Sequence, residues 1–366
     1  MLRPFRYQVG RFLFVGLAML AWLFFPSQQA LAQGCVASRE GVCITDSHAG
    51  NSVWASGSSK GESWFSPRRF QVDIDYRYFH SHRHFVGDIE QKQRATQRSE
   101  VNNIVHIMNI AATYEVNPRF SLTMNAPIYF NQRYGQSTPD RRTHAYGLGD
   151  ITLVGRTWLF HNPSEARQNI AVGFGIKLPT GAYDVVNTIT SATGVTTARA
   201  VDQSIQLGDG GFGMVADFQA YKAVKRATLY ASGSYLSNPR GTNGVKTGRS
   251  RPSEAIMSVA DQYAYRAGAV LPFPKMNTLV WSLGIRGEGV PSKDLIGDSD
   301  GFRRPGYILS VDPGFIYTKG KNRWTFNAPI PFRRVRTRSF SDLLVNGHGD
   351  AAFADYTILV GYSRHF

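Results

Sequence analysis

His80, His82 and His84 stand two apart in YFHSHRHF. On an extended chain such residues share one face, and imidazole nitrogens so placed can hold Zn2+ or Cu2+. No cysteine or carboxylate accompanies them at ligand spacing, so the trio is a weak metal candidate. Polar rim residues that hydrogen-bond to a loop or a headgroup are the simpler reading, and no metal is expected. Asp298-Ser299-Asp300-Gly301 matches half of a calcium loop, but the further oxygens and distal Glu are missing; it reads as a solvated turn. Gly208-Asp209-Gly210-Gly211 has the glycine density of a phosphate loop without its lysine or following helix. Glycines there serve bends and close approach at the start of a strand. No cofactor is expected.

The elements that carry these residues follow from composition and period. Charged residues make up 18% of the 366-residue chain, against about 25% in soluble proteins. With 17 Tyr, 23 Phe and 6 Trp the chain is too aromatic for disorder. Two cysteines exclude a disulfide-stapled mini-protein and a cysteine zinc domain. Beyond the N-terminus no segment approaches the roughly 20 apolar residues of a spanning helix.

Residues 1–32 read as a signal peptide. Arg3, Arg6 and Arg11 precede an apolar run from Phe12 to Phe25, and Ala30-Leu31-Ala32 supplies a small-x-small cleavage pattern. An uncleaved anchor is the competing reading, and the run is short for one. Losing three arginines and no acid lowers the formal charge from +15 to +12. Export to an oxidising compartment makes Cys35 and Cys43, in CVASREGVC, a disulfide candidate; two free thiols are the alternative. Residues 33–67 form an N-terminal periplasmic segment that could enter a lumen.

From residue 68 to 366 the dominant period is two, the mark of strands with one apolar face. Phe70, Val72, Ile74, Tyr76 and Tyr78 oppose Gln71, Asp73, Asp75 and Arg77. Ile170, Val172, Phe174 and Ile176 oppose Asn169, glycines and Lys177. Twelve such strands can be read, the fourth over about Asp150–Phe160. Short connections such as Asn117-Pro118-Arg119 alternate with polar ones of roughly ten to thirty residues. That alternation fits tight periplasmic turns and long outer loops, and strands of about ten residues fit a tilted membrane crossing. A sheet in lipid must close to pair its backbone groups. The fold class expected is all-β: a transmembrane antiparallel up-and-down β-barrel of the outer-membrane type, in a Gram-negative bacterium.

Alternation assigns the inner face. Lumen-lining candidates are Asp73, Asp75, Arg77, Glu115, Asp150, Arg156, Lys177, Asp217, Arg266, Arg286, Glu288, Asp312 and Arg333. Their mixed sign fits either packing of a narrow lumen or a polar path. The basic balance could suggest nucleic acid. But Arg334, Arg336 and Arg338 fall above Phe332, at the level of lipopolysaccharide phosphate, so they are candidate contacts for that lipid; a solvated loop base is the alternative. No nucleic-acid partner is expected. His106 faces outward, as the histidine of outer-membrane phospholipases does. No outward Ser or Asn stands on a neighbouring strand, so two members of a catalytic triad are missing and no catalytic residue is assigned.

Three stretches carry a family resemblance: YRYFHSHRHFVGD, TYEVNPRFSLTMNAPI, and GLGDITLVGRTWLF followed by IAVGFGIKLPTGAYD. Together they resemble the outer-membrane family named for the meta pathway of phenol degradation, over about residues 65–366. Gly147-x-Gly149-Asp150 and Leu178-Pro179-Thr180-Gly181 are the most specific elements. The resemblance implies a barrel that transports aromatic or other hydrophobic compounds. The C-terminal YTILVGYSRHF resembles the signal read by the barrel-assembly machinery, with Tyr362 and Phe366 as its handle; Arg364 departs from that pattern. The expected function is a channel for small solutes, in contact with lipid, lipopolysaccharide and the assembly machinery. The alternatives are a non-conducting structural or assembly barrel and, third, a membrane-embedded hydrolase.

Overall fold

Alternating apolar and polar side chains can satisfy lipid on one side and a lumen on the other only if the sheet has no free edge. The computed structural model describes residues 69–160, 162, 166–190 and 194–366. Cys35, Cys43, the signal segment and residues 33–67 lie outside them. Twelve wall strands follow in order: β1 (Phe70–Val86), β2 (Val101–Asn117), β3 (Phe120–Gly135), β4 in two pieces (Thr138–Leu148 and Ile151–Trp158), β5 (Gln168–Leu178) and β6 (Gly213–Val224). Then come β7 (Ala227–Ser237), β8 (Gln262–Phe273), β9 (Met276–Val290), β10 (Gly306–Lys319), β11 in two pieces (Asn322–Asn327 and Ile330–Arg336) and β12 (Ala351–His365). Each strand pairs antiparallel with its sequence neighbours, and β12 pairs with β1 from Gln71↔His365 to Phe85↔Ala351. The ring is closed.

The two faces fall where alternation puts them. Ile74, Leu122, Met124, Leu153, Phe174, Phe218, Trp281 and Phe315 are exposed on the outside. Asp73, Arg77, Asn109, Asn125, Arg156, Lys177, Asp217 and Asp312 are buried on the inside. At one end the strands join by tight turns, with Lys225 and Lys275 in the left-handed region. At the other end stand the long loops L1 (87–100), L3 (179–212), L4 (238–261), L5 (291–305) and L6 (337–350).

Two departures from the sequence reading have physical causes. β4 begins at Thr138 and not near Asp150, so the long polar connection expected before it shrinks to a turn. Its outer piece, TPDRRTHAYGL, is largely exposed and polar on both faces, so it carries no period-two apolar signal. β11 is broken at Ala328-Pro329, and its register slips between Leu309 and Ser310. A one-residue slip exchanges the faces of a strand. Arg333 therefore pairs with outward Leu309 and is exposed, not lumenal. Arg334 and Arg336 pair with Ile308 and Gly306 and turn inward, off the apolar face where lipopolysaccharide contact was expected.

Candidate functional site

The motifs that stood apart in sequence meet at one place on the inner wall. The carboxylate of Asp150, at the break in β4, accepts the Gly181 N–H at 2.8 Å and the Asp209 N–H at 3.3 Å. Thr180 Oγ1 donates to the Gly149 carbonyl at 2.9 Å and accepts the Ile151 N–H at 2.9 Å. Lys177 Nζ lies 3.5 Å from Asp150 and also pairs with Asp209. The two ends of L3 cross here. A side chain at Gly208 would sit 2.5 Å from the Gly181 carbonyl oxygen and 2.7 Å from Asp150 Oδ1, so this crossing needs glycine. The Gly-x-Gly-Asp, Leu-Pro-Thr-Gly and Gly-Asp-Gly-Gly segments are one device that anchors a loop to β4 and β5.

Held at that point, L3 folds into the barrel. Its Val201, Ile205 and Leu207 are buried against Phe79 and Phe85 of β1, Val105 and Ile107 of β2, Tyr129 of β3, Ile308 of β10 and Phe353 of β12. This is an apolar cluster inside the lumen. Asp202 fixes the returning arm of the loop: it caps a short 3-10 turn through the Ser204 N–H at 3.0 Å. It also takes both terminal nitrogens of Arg304 of L5, at 2.7 and 2.5 Å, with Arg133 at 3.4 Å. Burial opposes its charge, but Arg133 and Arg304 outweigh burial and hold its carboxyl well below the usual range. A depressed carboxyl stabilises the fold above its unfolded pKa and loses that contribution only as pH falls through the lower folded value. The clasp thus persists through mildly acidic pH.

Below the cluster the lumen is filled with ion pairs. Arg77 of β1 reaches Glu288 of β9 with two bonds, at 3.1 and 2.5 Å. Arg286 joins Glu288 at 3.3 Å and Asp312 at 3.2 Å, and Arg266 reaches Asp312 at 3.0 Å. Arg156 grips Asp217 with two bonds of 3.0 Å. Toward the turn end, Asp73 accepts from Gln71 at 2.8 Å, and Glu115 lies 3.5 Å from His365. Asp75 faces inward beside Gly361. Twelve of the thirteen lumen candidates therefore lie on the inner face, Arg333 being the exception.

The rim differs more. Arg334 donates to the carbonyls of Ala354 and Asp355, Arg336 is buried against Asp342 at 2.8 Å, and Arg338 donates to the Gly347 carbonyl. Arg334 braces β12, and Arg336 and Arg338 brace L6. His80 and His82 share a face, but His84 is buried apart from them, its Nδ1 2.7 Å from the His82 carbonyl. His106 contacts Tyr76 Oη at 2.7 Å and the Tyr78 ring. Sequence reasoning missed Arg133, Asp202 and Arg304. The available signal was Ile205 and Leu207, an isolated apolar pair in a long polar loop.

Residues 81–237 match the family model described as "Putative MetA-pathway of phenol degradation". No curated protein matches the chain in sequence. An outer-membrane channel from Pseudomonas putida F1 is similar in fold, with a TM-score of 0.55 at 13% identity, over 84% of this chain and 100% of that one. The translocator domain of the autotransporter NalP from Neisseria meningitidis gives 0.41 at 12% identity, over 87% and 93%. The P. putida toluene transporter TodX gives 0.39 at 10%, over 82% and 91%. The resemblance read from the sequence is borne out: residues 81–237 carry the signature of the family named for the MetA pathway of phenol degradation, on an outer-membrane-type β-barrel.

Proposed function

We propose that this protein is a channel of the Gram-negative outer membrane that passes small apolar or aromatic solutes. The observation that carries this reading is the apolar cluster that L3 builds inside the lumen. A lumen that served only polar solutes would gain nothing from burying Ile205, Leu207 and Phe353 there, whereas an apolar solute can replace those contacts as it passes. The family's link to phenol degradation and the similar P. putida channel support the same reading. The chain is exported by a cleaved signal peptide and does no catalysis. Its partners are the solute, lipid and lipopolysaccharide, and the barrel-assembly machinery. Tyr362 and Phe366 form the assembly handle; the Phe366 N–H closes the seam on the Phe70 carbonyl at 2.9 Å.

The buried ion pairs from Arg77 to Asp312 favour a second reading, a barrel that does not conduct. Flux into proteoliposomes separates the two. The wild type should admit an aromatic solute such as toluene faster than empty vesicles do. Asp202→Asn, which loosens the clasp on L3, should raise that flux several-fold. Equal flux in empty, wild-type and Asp202→Asn vesicles would leave the non-conducting barrel as the better account.

A further inference from the structure

The outer rim of the seam between β1 and β12 holds a cluster that solute passage does not use. His80 and His82 extend from the outer end of β1, and their rings stack with centroids 5.1 Å apart. Opposite them β12 carries a bulge: His80 pairs with Tyr356 and Ser81 with Ala354, so Asp355 is the extra residue. Bulges re-aim side chains and gather at barrel rims. Regular alternation would send Asp355 the opposite way from outward Tyr356; the bulge delivers its carboxylate to the two imidazoles instead. Ring nitrogens of His80 and His82 and an oxygen of Asp355 all lie within 4.8 Å of one another.

We infer that His80, His82 and Asp355 bind a divalent transition-metal ion, Zn2+ by preference, that staples the first strand of the barrel to the last. The spacing fits that ion. His82 Nε2 is 3.3 Å from Asp355 Oδ2, and two ligands of a tetrahedral zinc with bonds of about 2.0–2.1 Å stand about 3.3 Å apart. The supporting contacts fit as well. Glu100 Oε2 lies 3.1 Å from His82 Nδ1, the carboxylate–histidine arrangement that fixes a tautomer and leaves the other nitrogen for the metal. Asn102 Oδ1 lies 3.0 Å from His80 Nε2, which leaves the His80 Nδ1 lone pair as the free ligand. Asp355 is itself oriented. Its Oδ1 takes Arg83 Nε at 2.5 Å and its Oδ2 accepts the His82 N–H at 2.9 Å. Arg83 pairs with the Asp355 carboxylate and Arg334 holds its main-chain carbonyl, while Glu100 adds a second carboxylate beside His82. His84, buried and outside the cluster, takes no part.

The same contacts would also suit an imidazolium held between two carboxylates with no metal, and titration distinguishes them. The full chain carrying Cys35→Ser and Cys43→Ser, which removes the thiols as competing ligands, is refolded in detergent micelles and titrated calorimetrically with ZnCl2. One saturable site per chain is expected. His82→Gln and Asp355→Asn should each weaken it at least tenfold, while His106→Gln should leave it unchanged. Saturating zinc should also raise the thermal unfolding temperature of the parent and not of His82→Gln, because a ligand of the folded state stabilises it. If either variant fails to refold, His80→Gln, which disturbs no carboxylate, takes its place. Absence of saturable binding, or an affinity that these substitutions leave unmoved, overturns the site.

Discussion

Asp312→Leu should destabilise the barrel by about 3–5 kcal/mol, the usual loss when one partner of a buried ion pair is removed. Asp312 is fully buried and answers Arg266 at 3.0 Å, Arg286 at 3.2 Å and Asn327 at 3.1 Å. Without it, the three cations Arg77, Arg266 and Arg286 face the single carboxylate of Glu288. Denaturant unfolding of the protein in lipid vesicles, followed by tryptophan fluorescence, measures the difference. A loss of only about 0–1 kcal/mol is what an exposed pair gives. That outcome would show the lumen to be water-filled at this level and would remove the case for a packed interior.

Lys177→Leu should be at least as damaging as Ile176→Arg, although the two neighbours lie on opposite faces of β5. Ile176→Arg places a cation against lipid and should cost about 2–4 kcal/mol near the midplane. Period-two logic alone makes a lumen substitution the milder one. The structure reverses that ranking. Lys177 is fully buried and joins Asp150 to Asp209, so its loss strands two carboxylates at the point where L3 is tied down, at a cost of about 3–5 kcal/mol. Lys177→Leu should also open L3 to protease within the largely buried segment 201–207, which Ile176→Arg in folded molecules should not. Unfolding midpoints and cleavage rates on the same preparations give both comparisons. A smaller loss for Lys177→Leu with L3 still protected would return Lys177 to the role of a simple wall residue.

The wall was legible because its cause is local. A strand between lipid and lumen must alternate, and Phe70 to Arg77 or Ile170 to Lys177 state that alternation outright. What escaped was whatever left the lipid. The outer piece of β4 shows no apolar face because it stands clear of the membrane, and only pairing with β3 makes it a strand. The slip near Pro331 reversed Arg333 and Arg334, since period-two counting carries an error forward once a residue is gained or lost. L3 was harder. Its anchor joins Gly149, Gly181 and Gly208 from three separate segments, and no period links them. The three histidines show both sides. Their spacing foretold a shared face for His80 and His82, while the bulge that adds Asp355 and the burial of His84 are tertiary.

The loop inside the lumen bears on how the ring closes in time. The seam joins the first strand to the last, the longest loop closure in the chain and the one with the greatest entropy loss. L3 comes from the middle of the sequence, yet it touches Phe79 of β1 and Phe353 of β12 within one apolar cluster. It can therefore act as a mandrel: each seam strand docks on it separately, and each docking buries apolar surface before the strands meet. One long search becomes two shorter ones. A chain with L3 shortened should then still reach a paired sheet but seal its seam slowly, leaving an open, edge-exposed intermediate that time-resolved crosslinking of β1 to β12 would catch.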